Sequence, residues 1–119
     1  MNAVLEKSAK DEINKFFTLS IENVPNLSMM SEFIDSVWHD MLKDESEYKE
    51  YCESNFGKVI GHTTTQGEGE ISWIKDYEAK YGLLSPLWFT NKNGFFDQKA
   101  YQSYLDTGIV KASWDCTPS

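Results

Sequence analysis

No stretch of the sequence holds about 18 consecutive apolar residues, so no part of it is expected to cross a membrane as a helix. The opening Met1-Asn2-Ala3-Val4-Leu5-Glu6-Lys7 lacks the charged-then-apolar order of a secretory signal, and a cytoplasmic location is expected. Basic residues are scarce. Eleven Lys and Arg stand against 19 Asp and Glu, a formal net charge of −8. Phosphate backbones are held by clustered Lys and Arg, so direct nucleic-acid binding is not expected. Gly67-Glu68-Gly69 is no phosphate loop, because it lacks the Lys-Ser/Thr that such a loop needs. Soft ligands are scarce too: two cysteines, Cys52 and Cys116, and two histidines, His39 and His62. In an oxidising compartment one disulfide would close a loop of roughly 65 residues, worth about 4 kcal/mol in the chain-entropy picture. In the reducing cytosol both thiols are expected to be free. The plainest use of a free Cys is as a small buried apolar residue.

Against these shortages stand four Trp, an aromatic content of 14% and a hydrophobic content of 40%. That composition argues for a packed core and against disorder. A chain of 119 residues fits one domain spanning 1–119. Leu5, Ala9, Ile13, Phe16 and Phe17 recur at spacings of three and four, which predicts an amphipathic helix over 4–19 that Pro25 separates from the next element. Met30, Phe33, Ile34, Val37, Trp38, Met41 and Leu42 follow the helical period closely, with Ser28 as the expected N-cap of a second helix. Asp44 with Glu47 makes an acidic capping box for a third helix, where Tyr48, Tyr51, Cys52 and Phe56 share a face and Gly57 is the stop. So short a link predicts an antiparallel helical hairpin. Residues 58–62 read as an extended return and 63–69 as a mobile polar loop.

A fourth helix is expected over 70–81, stopped by Gly82. Asn93-Gly94 between apolar pairs signals a short β-hairpin near 87–96. Asp97 is placed to cap a fifth helix ended by Gly108, and the tail with Trp114 and Cys116 is expected to pack back onto the body. The class predicted is mainly α, about five helices with that one short hairpin.

Chemistry is expected where the scarce residues gather. His39 on the second helix, Cys52 on the third, His62 just after it and Cys116 in the tail have the composition of a closed Cys2His2 zinc site. Asp35 lies one turn before His39 and is suited to hold that imidazole from behind. The gaps of 12, 9 and 53 residues differ from the close ligand pairs of familiar zinc motifs. Four unrelated residues are therefore the plainer alternative. A second chemical reading makes Cys52 a nucleophile with His39 or His62 as its base, although a thiol late in a helix lacks the N-terminal field that lowers its pKa. Glu45, Glu47, Glu50 and Glu53 read as a solvated acidic face, or more sharply as a surface mimicking nucleic acid against a basic partner. Trp73, Trp88, Phe89, Phe95, Phe96 and Trp114 are more aromatics than a core this size needs, which favours contact with another protein.

The order Asp35, Trp38-His39, Tyr48, Cys52, Gly57, His62 resembles a segment of the plant glycine-rich domain-containing proteins and their short bacterial relatives. The resemblance covers roughly residues 30–62. Plant members often carry a second His two residues after the first, where this chain has Met41. It implies that Asp35, His39, Cys52 and His62 belong to one site, and it implies no particular reaction. Together these readings describe a small acidic binding or adaptor protein. Its metal set would be His39, Cys52, His62 and Cys116, with Asp35 behind it and Trp38 and Tyr48 as binding residues. The alternatives are an enzyme or maturation factor using the same His/Cys site, and an acidic inhibitor.

Overall fold

A computed structural model describes residues 3–119. Helix α1 spans Ala3–Ile21, α2 Glu32–Leu42 and α3 Glu45–Phe56. Strand β1 follows at His62–Glu70, then α4 at Ile74–Tyr81, a 3₁₀ turn at Pro86–Phe89, α5 at Gln98–Thr107 and strand β2 at Lys111–Pro118. The class is mainly α with one small two-stranded antiparallel sheet.

The helix boundaries follow local chemistry. Asp44 accepts from the Glu47 amide and Asp97 from the Ala100 amide, each satisfying an orphan donor of a first turn. Gly57 and Gly108 close their helices at φ 74° and 73°, a left-handed stop that suits a residue without Cβ. The cap of α2 is Ser31, not Ser28. Ser31 accepts from the Ile34 amide and donates to the Leu87 carbonyl, whereas the Ser28 carbonyl takes the Trp73 indole N–H. α4 begins at Ile74 instead of Glu70, because Glu70 ends β1 and the Ile71 amide is bonded to the Val110 carbonyl.

The β element departs most from expectation. The polar run 63–69 is not a loop but most of β1, paired with the tail from His62↔Pro118 to Glu70↔Lys111 around a bulge between Thr64 and Gly67. A Cβ at Gly67 would overlap the Trp114 ring, so that ring lies directly on the strand backbone. At 87–96 the Asn93-Gly94 turn is present, but it closes on a single bridge, Thr90↔Phe96, and Pro86–Phe89 winds as a 3₁₀ turn. The tail does pack back, as β2. Its Cys116 carbonyl accepts from the Met29 amide, so the ribbon is sewn to the segment leading into α2.

The buried apolar residues form one cluster, with Phe16, Phe17, Trp38, Trp73 and Tyr77 among its largest members. Three phenols inside it are held protonated. Burial, then the Glu78 carboxylate, pushes Tyr104 up to about 12. Burial, then Glu12, raises Tyr77 further, and burial raises Tyr48. A raised folded-state pKa means that the folded protein keeps protons that the unfolded chain has already released. The stabilisation is fully present below about pH 10, the unfolded phenol value, and is lost as pH climbs towards and past 12. An absorbance titration at tyrosinate wavelengths should show these three phenols ionising only with unfolding. Smooth ionisation of all six tyrosines near their ordinary value, with the fold intact, would contradict this.

Candidate metal centre

Asp35 and His39 lie one turn apart on α2, so the helix period alone makes them neighbours. The His39 Nε2 stands 3.3 Å from Asp35 Oδ2. His62 arrives from elsewhere, as the first residue of β1. Its Nε2 stands 3.3 Å from the other carboxylate oxygen, Asp35 Oδ1. One candidate ligand atom from each of the three lies within 4.8 Å of the others.

A buried relay sets where His62 arrives. The Trp38 indole N–H donates to the Tyr48 hydroxyl at 3.1 Å, and that hydroxyl donates to the Ile60 carbonyl, two residues before His62. The Trp38 ring also meets the His62 ring edge-on, with centroids 4.4 Å apart. Beyond His62, Gly61 and Ser119 exchange two backbone hydrogen bonds and hold the start of β1 to the end of β2. Trp38 and Tyr48, expected as binding residues, are both buried and support the backbone that leads into His62.

The thiols fall outside the three-residue group. Cys116 donates its S–H to Asp35 Oδ1 at 3.0 Å. Burial first, then the Asp35 carboxylate, raises this thiol well above its ordinary value and keeps it protonated. Cys52 is fully buried in the core, which closes it to any substrate. Both cysteines are free. The Cys2His2 set is therefore not one cluster, and roles are exchanged. Asp35, expected behind His39, stands at the centre, and Cys116, expected as a ligand, orients Asp35 from behind.

One side of the group is open. The His39 side chain is 55% exposed, against 22% for Asp35 and 13% for His62. Asp35 and His39 border an open groove of about 1280 Å³ that continues past Met29, Phe95, Phe96 and Trp114. Two imidazoles and one carboxylate suit a borderline-soft divalent cation such as zinc, and three protein donors leave room for further ligands. Among the described residues no helix is long and apolar enough to cross a membrane. Comparison of the chain with family models, curated proteins and solved structures finds no match.

Proposed function

We propose that this chain is a small acidic metal-binding adaptor of the cytoplasm. Asp35, His39 and His62 take one divalent ion of the zinc class, and the aromatic, acidic surface contacts another protein. The observation that carries this reading is the convergence of those three donors within 4.8 Å, two on α2 and one on β1. An ion there ties the β-ribbon to the helical body, a structural or regulatory staple. The proposal includes kinship with the glycine-rich domain-containing proteins, supported by the residue order from Asp35 to His62. A second reading, metal-assisted catalysis, is favoured by the exposed His39 edge on the open groove, since catalytic zinc keeps a position free for water or substrate.

Zinc titration followed by calorimetry tests the site. One equivalent is expected to bind. At free zinc a hundredfold above the dissociation constant the fold gains about 2.7 kcal/mol, or roughly 10 °C in melting temperature. Asp35→Asn and His62→Ala should each weaken zinc binding by more than about tenfold, and Cys116→Ser, whose hydroxyl can still donate to Asp35, by less than the roughly ten- to hundredfold that losing an orienting group costs. A folded protein that takes up no zinc and melts unchanged would end the metal reading.

A further inference from the structure

A second cavity opens between the α2–α3 hairpin and α1, with the end of α4 at one side. It is a cleft of about 640 Å³. That volume suits a small molecule. The cleft takes in none of Asp35, His39 and His62, although Asp40 lines both it and the open groove and Tyr48 also belongs to the relay behind His62.

Its deeper wall is aromatic. Tyr48 is buried, and Tyr51 and Tyr81 are half-buried beside Met41. Its rim is acidic. Glu6 and Asp11 on α1 face Asp40, Asp44 and Glu47 on the hairpin, and the last four of these five are exposed. The two lysines that also line it are already occupied, Lys10 by Glu6 at 3.6 Å and Lys15 by Glu12 at 2.9 Å. Among the described residues Asp11 and Glu47 make no ion pair, so the rim keeps an excess of negative charge.

The molecule itself displays the matching contact. Lys15 Nζ sits 5.4 Å from the Tyr81 ring centroid, an ammonium drawn to an aromatic face. That fills the Tyr81 end and leaves the Tyr51 end open. A point-like ion does not fit what remains, because among the described residues no three rim carboxylates come within 4.8 Å of one another. On α1 alone, Glu6 and Asp11 are separated by about 7.5 Å of helical rise. Charges strung along a cleft with an aromatic wall complement charges strung along a flexible hydrocarbon.

We propose that this cleft binds a free linear oligoamine, its methylenes against Tyr51 and Tyr48 and its ammonium groups bridging the carboxylates of α1 to those of the hairpin. Calorimetric titration of the full chain with spermidine at low ionic strength tests it. One saturable site is expected, weakening as salt is added. Asp11→Asn, an exposed and isosteric change, and Tyr51→Leu should each weaken spermidine by about three- to tenfold. Melting curves establish that both variants are folded. A lysine-rich peptide is the second titrant. The proposal is overturned if folded protein ignores spermidine, if both variants bind it unchanged, or if the peptide binds and spermidine does not.

Discussion

Replacing Trp38 by alanine is expected to cost about 3–5 kcal/mol, the usual range for emptying a large aromatic site in a core. Trp38 is fully buried where α1, α2, α3 and β1 meet. Its ring meets Phe17 at 5.2 Å and Phe16 at 6.4 Å between centroids, and it is also the lateral support of His62. Domains of this kind hold about 5–15 kcal/mol in all, so the variant gives up a large share of the total. Trp38→Phe separates two contributions. It keeps most of the apolar volume but removes the indole N–H that the Tyr48 hydroxyl accepts. Tyr48 still donates to the Ile60 carbonyl, so its only loss is one incoming bond, worth about 0.5–1.5 kcal/mol. Chemical denaturation of both variants checks the argument. A loss below about 1 kcal/mol for Trp38→Ala would mean that the site collapses freely and that Trp38 is no hub. The same relay predicts that Trp38→Phe loosens zinc more than its small stability loss suggests, because His62 loses part of its aim.

What could be read in the sequence is what depends on near neighbours in the chain. Asp44, Gly57, Asp97 and Gly108 mark their helix ends because a cap is a contact across three or four residues. The pairing of Asp35 with His39 is legible for the same reason, as a spacing on one helix. The β-ribbon is different in kind. Thr63-Thr64-Thr65-Gln66-Gly67 has no apolar alternation, and its partner begins at Lys111, about 40 residues on, so no local pattern announces the strand. That long-range pairing has a consequence at the site. Once 62–70 is a strand against 111–118, His62 and Cys116 are carried to the same carboxylate from two strands. Asp35 then becomes the hub, not the support. Ser28 and Ser31 are both chemically able to cap α2. Only the packing of Trp73 onto the Ser28 carbonyl decides for Ser31. Glu12 is equally silent in the sequence. A glutamate between apolar positions of an amphipathic helix reads as solvent-facing, and nothing near it in the chain shows the donors that arrive from α4 and the 3₁₀ turn.

Those donors make Glu12 the second position where a single change should matter most. Its side chain is 7% exposed, and Oε1 accepts both the Tyr77 hydroxyl and the Trp88 indole N–H, the latter at 2.9 Å. Oε2 takes the Lys15 ammonium, itself partly in water. One carboxylate thus satisfies two buried donors and joins α1 to α4 and the 3₁₀ turn. Glu12→Ala strands both donors, at about 1–3 kcal/mol each, and opens a void, so a loss of about 3–5 kcal/mol is expected. Glu12→Gln is the discriminating partner. Its carbonyl can still accept from Tyr77 and Trp88, and only the surface half of the Lys15 pair is given up, worth no more than about 1 kcal/mol. The two variants should therefore differ by several-fold in stability cost although both remove the charge. Equal losses would show that the charge itself, not the hydrogen bonds, is what the core requires. Tyr77 supplies an independent reading of the same contact. Glu12 is, after burial, the main reason its phenol resists ionisation, so in Glu12→Gln the late phase of tyrosinate absorbance, carried by the buried phenols, should move to lower pH. An unchanged late phase would detach Tyr77 from Glu12 and leave the buried carboxylate without its principal role.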